Sequence, residues 1–349
     1  MRDHRNMSEQ PLVSIILPVY NGESTLMRAA QSVFAQDYPS VELIVVDDGS
    51  SDDTGKICAN LANLNSNLKV ITVENGGVSR ARNIGMNAAS GQYLAFLDAD
   101  DELMPNFVSA GLKTLIGTGA DIVCTNAYYV DNGSVITRMR PFNPCRAVIT
   151  TGRGKDQLIQ QLYSSDTVPF YGDFLRAPWG KIYSAELLKG RQIQFPCEVE
   201  VGEDAIFLLQ AFYYANRIAV DDKYLYKYYR STQSVTGRTD RHFYERRVAE
   251  YQALKIALDD IHYSIKNIDT IYWHRANFEN IRNAVKSSKS TLGKIKLICD
   301  FYKEKYPRQY LAIPLSGKKD IARAYLMQSH QYLLMAIVDY YSKKGLFSS

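Results

Sequence analysis

Long apolar runs are missing from this sequence, since none approaches the ~20 residues that a membrane-spanning helix needs. The first ten residues are polar and charged, which is unlike a signal peptide. Cysteine is scarce as well, because only five occur, far apart and without CxxC spacing. These absences argue against a membrane span, a zinc site and a disulfide framework, and they predict a cytoplasmic protein with reduced thiols.

Two phosphate-binding patterns are also absent. The glycine-containing stretch at 75–85 follows neither GxGxxG nor GxxxxGKS/T, which disfavours a dinucleotide-binding protein and a P-loop nucleoside triphosphatase. No recognised nucleic-acid-binding motif occurs, so nucleic acid is not a predicted partner.

The composition is that of a globular protein, with 46% apolar and 22% charged residues among 349. Length alone suggests about two domains. The net charge of +4 is unevenly placed, because residues 236–349 carry 20 Lys and Arg against 11 Asp and Glu, whereas the preceding residues carry 21 against 26. The basic segment indicates either an anionic partner, such as a membrane surface or a phosphorylated lipid, or a set of solvated helix faces.

Strands and helices alternate over the first hundred residues. The apolar patterns predict four strands and the three helices between them: strands 13–17, 41–46, 68–73 and 93–97, and helices 24–36, 54–63 and 78–89. Short connections between such elements predict a right-handed parallel sheet with helices on both faces. Ligands of such sheets gather at the carboxyl ends of the strands.

The fourth strand ends in a cluster of carboxylates at Asp98, Asp100 and Asp101. Carboxylates this close repel one another unless a cation lies between them, and their oxygen ligands suit Mg²⁺ or Mn²⁺. The alternative is a helix start, where acidic residues favour the positive end of the helix dipole.

Glu203 and Asp204 begin an apolar helix predicted to run to about Ala215. Both the capping of that helix and a chemical role fit acidic residues at this position. Farther upstream, the glycines at 76 and 77 precede a helix whose free N–H groups suit an anion, and Arg80 and Arg82 add positive charge there.

The later part of the chain is less regular. We expect strands at 121–130, 218–220 and 223–230, a hairpin partner at 134–140, and a long loop at 141–172. From residue 240 onward the pattern is helical, with helices near 241–260, 269–287, 291–305 and 318–342. These helices are expected to form a small bundle packed on the rest of the protein, and docking on a membrane surface is the alternative.

Four motifs together resemble those of the inverting family 2 glycosyltransferases: Ser14–Asn21, Val45–Asp52, Asn75–Asn83 and Phe96–Asp101. The resemblance is strong over 11–110, fair to residue 230, and nearly absent beyond 240. It implies the GT-A fold, an α/β fold with a Rossmann-like, mostly parallel nucleotide-diphospho-sugar-binding sheet flanked by helices, here followed by a C-terminal helical region. The implied divisions are a disordered tail (1–10), a nucleotide-sugar-binding half (11–110), an acceptor-binding half (111–235) and the basic helical region (236–349).

The resemblance also implies roles for individual residues. Asp48 is expected to hydrogen-bond the base, uracil in many members, and Asp47 to do the same or to support its loop. Asp98-Ala99-Asp100 looks like the DxD motif, so that Asp100 binds Mn²⁺ or Mg²⁺ and Asp98 faces the ribose or the metal. The other residues expected near the nucleotide sugar are Pro18, Tyr20, Asn21, Glu23, Gly77, Arg82 and Lys181.

The acidic pair Glu203-Asp204 is similar to a later motif of the family and is expected to supply the general base. We assign that role to Asp204, with Glu203 as its orienting neighbour. Trp179 and Lys181 match a family region near the acceptor or the diphosphate, and a core aromatic and a surface lysine are the alternatives. Arg230 is expected to approach the phosphates.

The implied activity is metal-dependent, inverting transfer of a sugar from a nucleotide-diphospho-sugar, with UDP-sugar expected, to a hydroxyl of a glycan or lipid-linked saccharide in cell-surface polysaccharide synthesis. The enzyme would be of the hexosyltransferase type, with 236–349 as its contact to the inner face of the membrane if it is peripheral. Processive synthesis is disfavoured, because Gln-x-x-Arg-Trp is absent. The competing hypotheses are a nucleotidyltransferase and a non-catalytic sugar-nucleotide or glycan-binding module; the sugar, acceptor and oligomeric state stay open.

Overall fold

The computed structural model describes residues 10–131, 134–138, 148–163, 173–229 and 243–265, together with 268–269, 290, 292–293, 295–296 and 299. Residues 1–9 of the predicted N-terminal tail, Arg230 and nearly all of the helices predicted beyond residue 268 lie outside these residues. The chain divides into two compact units, one of Met1–Ser231 with Ala253–Tyr263 and the other of Thr232–Gln252 with Ser264–Ser349.

The N-terminal half of the first unit alternates strands and helices as predicted. In chain order its elements are β1 (Val13–Val19), α1 (Leu26–Phe34), β2 (Val41–Asp47), α2 (Thr54–Leu64), β3 (Leu68–Thr72), α3 (Val78–Ala88) and β4 (Tyr93–Phe96). The four strands are parallel and lie in the order β3-β2-β1-β4. Every residue of β1 is buried, which explains its continuous apolar sequence.

The remaining strands extend the same sheet. The elements are β5 (Glu102–Leu103), α4 (Phe107–Thr118), β6 (Ile122–Asp131), β7 (Ser134–Arg138), β8 (Val148–Thr150), α5 (Arg153–Tyr163), β9 (Lys181–Ser184), α6 (Ala185–Gly190), α7 (Glu203–Tyr214) and β10 (Ile218–Tyr229). Strand β9 joins β4 to β6 with antiparallel pairing, and β10 lies parallel to β6 on its other side. The α/β fold class predicted from the sequence is confirmed.

Two predictions in this half are wrong in detail. The long loop expected at 141–172 contains β8 and α5, because Leu158, Ile159 and Leu162 form a buried face of a helix and β8 pairs with β10. The two strands expected at 218–220 and 223–230 form one strand, β10, whose pairing with β6 shifts register within 220–226. The hairpin of β6 and β7 is confirmed.

Helix α3 lies against β1 through Gly85. A Cβ atom at this position would come within 2.4 Å of Ile16 Cγ2, so only glycine allows the helix to lie this close to the strand. The same helix carries Arg82, whose side chain reaches Asp98 after the end of β4.

Helix α8 (Phe243–Asp260) agrees with the helix predicted at 241–260. No helix in the part of the chain that the structure describes has the length and apolar composition needed to cross a membrane.

Candidate active site

The loops that follow β1 and β2 are hydrogen-bonded to each other. Asn21 Oδ1 accepts from the backbone N–H of Ser51 at 2.8 Å, and the Asn21 N–H donates to Ser50 Oγ at 2.9 Å. Glu23 Oε2 accepts from the Asp53 N–H at 3.1 Å. Asn21 and Glu23, both predicted to border the nucleotide, therefore also shape the edge of the sheet where the nucleotide is expected.

The other two residues predicted on the first loop differ in exposure. Pro18 is buried in β1 opposite Val46, whereas Tyr20 is 55% exposed at the end of the strand. An exposed aromatic ring at the carboxyl edge of a parallel sheet is available to a ligand, and a buried proline supports the strand beneath it.

Asp48 holds the glycine loop that precedes α3. Its two carboxylate oxygens accept from the N–H groups of Gly76 and Gly77, at 2.9 and 2.8 Å, and the residue is buried. Gly77 has φ +87°, which glycine adopts without strain. A hydrogen bond between Asp48 and a base stays a prediction. The structure shows in addition that Asp48 holds the loop at Gly76 and Gly77. Asp47 supports its own loop by accepting from the Ser50 N–H.

Arg82 joins three of the predicted motifs. Its guanidinium donates to Asp204 Oδ1 at 2.7 Å and to Asp98 Oδ1 at 3.0 Å, and it lies 3.6 Å from Glu203 Oε1. The side chain is only 4% exposed and packs over the ring of Phe195. Burial by itself lowers the pKa of Arg82, but the three carboxylates, Asp204 foremost, outweigh it and raise this pKa.

The Arg82 guanidinium thus connects Asp98, which follows β4, with the acidic pair at the start of α7. The predicted contact of Arg82 with the nucleotide sugar stays a prediction, since protein carboxylates take several of its donors. A cation in this place favours ionised carboxylates around it, and it fixes the distance between the DxD turn and the acidic pair.

The acidic pair is unequal in its environment. Burial raises the pKa of Glu203 to about 8, the charge of Asp204 adds to this, and Arg82 opposes it. The pKa of Asp204 is raised by burial too, against the opposing charge of Arg82 and a hydrogen bond from Glu203. At neutral pH we therefore assign the proton to Glu203 and the negative charge to Asp204, whose side chain is 29% exposed against 12% for Glu203.

Replacement of Glu203 by glutamine should change how stability depends on pH. The folded-state pKa of about 8 exceeds the ordinary 4.5, so the stabilising contribution of Glu203 is present below pH 4.5 and is lost as pH rises through about 8. Glutamine does not titrate. The Tm of Glu203→Gln minus the Tm of the unmodified chain should therefore increase by several degrees between about pH 5 and about pH 9. This size follows because ~1 kcal/mol moves the Tm of such a chain by about 2 °C.

Differential scanning calorimetry across this pH range measures the effect. Glu198→Gln is the matched control, because Glu198 is an exposed glutamate shortly before α7. Parallel Tm profiles of Glu203→Gln and the unmodified chain would show that Glu203 has no raised pKa.

The turn after β4 has one free carboxylate and one fully buried one. The carboxylate of Asp100 has no ion pair or hydrogen bond from another residue among those described, and its pKa is raised, first by burial and then by Asp98. Asp101 is 0% exposed and accepts from the Tyr226 hydroxyl and the Tyr229 N–H. The alternative that Asp101 starts a helix is wrong. Strand β5 follows Asp101 directly, and the Asp101 carboxylate is hydrogen-bonded to two residues of β10.

Asp98 and Asp100 fit a hard divalent cation. Both offer carboxylate oxygens, and burial together with the charge of Asp98 raises the pKa of Asp100 against the opposing charge of Arg28, which a cation bound at this carboxylate would reverse. Within the described ranges no group of three or more His, Cys, Asp or Glu side chains is arranged to hold a metal. The protein would therefore supply one or two ligands, and the substrate phosphates and water the others, as is common for Mg²⁺.

Lys181 and Trp179 both lie in the interior. Lys181 is 0% exposed, its ammonium donates to the Ala177 carbonyl at 2.6 Å, and burial lowers its pKa to about 8. Trp179 stacks on Tyr226 with ring centroids 4.5 Å apart. The core aromatic is confirmed, the surface lysine is wrong, and direct binding of the nucleotide sugar by Lys181 stays a prediction.

Residues 14–177 match the family model described as glycosyl transferase family 2. The chain is therefore similar to this family over just under half of its length. The putative glycosyltransferase EpsH of Bacillus subtilis is 29% identical over 248 residues, which are 70% of this chain and 68% of EpsH. The glycosyltransferase GlyA of Streptococcus pneumoniae is 29% identical over 216 residues, which are 62% of this chain but only 30% of GlyA.

A solved structure supports the same assignment. The crystal structure of S. aureus TarS in complex with UDP superposes with a TM-score of 0.63 at 25% identity, over 97% of this glycosyltransferase and 93% of that chain. The predicted resemblance to this family, the GT-A fold and the transferase class are confirmed.

Prediction from sequence missed several residues that shape the site of this glycosyltransferase. Tyr226 and Tyr229 bind Asp101, and Arg28 donates to the backbone carbonyl of Asp100. The tyrosines at 224, 226 and 228 alternate along a strand, which indicates one common face, but the pattern does not show that this face meets the DxD turn.

Proposed function

We propose that the chain is an inverting, metal-dependent glycosyltransferase that moves a sugar from a UDP-sugar to a hydroxyl of a glycan or lipid-linked saccharide in cell-surface polysaccharide synthesis. The observation that carries this proposal is the bridge of Arg82 between Asp98 and Asp204, at 3.0 and 2.7 Å. This contact supports the proposal, because Asp204, the proposed base, and Asp98, a proposed neighbour of the metal–diphosphate group, share one guanidinium. The UDP in the TarS crystal structure supports the choice of nucleotide.

Asp204 is the proposed general base. A sugar hydroxyl is a weak nucleophile and must lose its proton as it attacks the anomeric carbon. In the proposed step the acceptor oxygen bonds to that carbon, the bond from the carbon to the diphosphate oxygen breaks, and the electron pair leaves with the nucleoside diphosphate. The acceptor proton passes to Asp204, and a single displacement of this kind inverts the anomeric configuration.

Glu203 and Arg82 prepare Asp204 for this step. Protonated Glu203 donates to Asp204, and Arg82 donates to its Oδ1. Both contacts favour the charged carboxylate before the proton arrives, while burial raises its pKa and so strengthens it as a base.

The leaving diphosphate needs positive charge. A bound Mn²⁺ or Mg²⁺ would supply it by offsetting the charge that develops on the leaving oxygen. Asp100 would hold the ion, with Asp98 beside it. Asp48 keeps the loop at Gly76 and Gly77 in place near the same edge. A nucleotidyltransferase is disfavoured, because the residues after β1 include no glycine-rich, lysine-containing phosphate loop.

The donor is identified by thermal shift with a panel of UDP-, GDP- and TDP-sugars in the presence of Mn²⁺. A ligand at a hundred times its Kd stabilises by ~2.7 kcal/mol, which corresponds to a rise in Tm of several degrees. We expect this rise with UDP and UDP-sugars and its loss with EDTA. A panel without any metal-dependent shift would contradict the proposed function.

A further inference from the structure

The turn that carries the DxD residues is attached to the protein on several sides. Asp98 contacts Arg82 through its carboxylate, and its N–H lies 3.3 Å from the Tyr226 hydroxyl. The backbone carbonyl of Asp100 accepts from Arg28 of α1. Among the described residues, none donates a hydrogen bond to the carboxylate of Asp100 from another position in the chain.

Asp101 makes the deepest of these attachments. Its carboxylate is wholly buried, with one oxygen 2.7 Å from the Tyr226 hydroxyl and the other 2.8 Å from the Tyr229 N–H. The Tyr226 hydroxyl therefore donates to Asp101 and accepts from the Asp98 N–H, so one hydroxyl joins both ends of the turn. The Asp101 N–H in turn donates to the Asp98 carbonyl at 3.0 Å.

Tyr226 is itself fixed in position. It is 0% exposed, and its ring stacks on Trp179 at 4.5 Å with an interplanar angle of 10°. Tyr226 also pairs with Leu103 between β10 and β5, directly after the turn. A hydroxyl on so rigid a ring can hold the turn in one orientation, which a mobile side chain could not do.

We propose that Asp101 and Tyr226 are positioning residues, which lock the Asp98–Asp100 turn to β10 and so direct the Asp100 carboxylate toward the metal–diphosphate group of the donor. Neither residue touches the donor in this proposal, which rests on the function proposed above. Their effect is on the affinity for the metal in the presence of nucleotide, because a carboxylate that is free to turn away binds the ion less often.

The decisive variant is Tyr226→Phe, which removes the hydroxyl but keeps the ring that stacks on Trp179. Thr114→Val is the matched control, because the Thr114 hydroxyl likewise donates to a buried carboxylate of β10, that of Asp221. Each variant removes a hydroxyl that donates to a buried aspartate, and each of the two hydrogen bonds has one partner on β10. Of these two hydroxyls, only that of Tyr226 contacts the DxD turn. Asp101→Asn is the second test variant.

Two readouts test the proposal. Isothermal titration of Mn²⁺ into the full chain with saturating UDP should show a Kd about 10-fold higher or more for Tyr226→Phe and Asp101→Asn, and an unchanged Kd for Thr114→Val. Hydrogen exchange of the Asp98 amide in the metal-free protein should be faster in Tyr226→Phe and unchanged in Thr114→Val.

An unchanged Mn²⁺ Kd in both test variants would overturn the proposal, even if their Tm falls, because a merely structural role lowers stability without a selective effect on the metal. Unchanged hydrogen exchange of the Asp98 amide in Tyr226→Phe would overturn the claim that the Tyr226 hydroxyl holds the turn. If the unmodified chain binds neither UDP nor Mn²⁺, the proposed function fails, and the exchange of the Asp98 amide still decides whether Tyr226 holds the turn.

Discussion

Asp204→Asn should lower the rate of sugar transfer by about 10²- to 10⁴-fold, which is the range that a positioned general base contributes. Asparagine keeps an oxygen that can accept from Arg82 but cannot take the proton of the acceptor hydroxyl. The affinity for UDP should change little, because the residues proposed to border the base and to hold the metal lie on the loops after β1, β2 and β4. Single-turnover transfer and titration of UDP separate these two quantities.

Glu198→Gln is again the control for Asp204→Asn, because it removes an exposed carboxylate from the same stretch of chain. A loss of UDP binding together with activity would show that Asp204 serves the structure around Arg82 and not the chemistry. Full activity in Asp204→Asn would exclude this residue as the base and leave Glu203 as the candidate.

Asp100→Asn should have the second large effect. A metal that stabilises the charge of the leaving group contributes several kcal/mol, so loss of its main ligand should reduce turnover by about 10²-fold or more. EDTA should produce a similar loss in the unmodified chain, reversed by Mn²⁺ or Mg²⁺. The remaining activity of Asp100→Asn should respond weakly to either ion.

The matched control is Asp37→Asn, an exposed aspartate between α1 and β2. Steady-state rates across a series of Mn²⁺ concentrations give both the maximal rate and the concentration for half-maximal activation. If Asp100→Asn keeps the turnover and the metal dependence of the unmodified chain, the assignment of Asp100 as the metal ligand is wrong.

Lys181 is a residue whose surroundings differ from those that its local sequence predicted. Its position after Trp179-Gly180 suggested a residue at the nucleotide sugar, with a surface lysine as the alternative. The burial of its ammonium against the Ala177 carbonyl overturns only the surface lysine. Burial of a charged group depends on neighbours distant in sequence, and no local pattern reports them. Strand β8, within the loop expected at 141–172, was missed for a related reason. It has only three residues, and its partner β10 is distant in the sequence.

The sequence by itself determined the alternation of strands and helices up to β4 and the polar motif at each strand end, because apolar periodicity and turn residues are local properties. It also located the acidic residues at 98–101 and 203–204. Only the tertiary structure decided their relation. Arg82 meets Asp204 across 122 positions, and Asp101 meets Tyr226 across 125. Those contacts and the burial around them determine that Asp204 is charged, that Glu203 is protonated and that Asp101 is held in place. The sequence could not show this, because desolvation and charge pairing act through space and not along the chain.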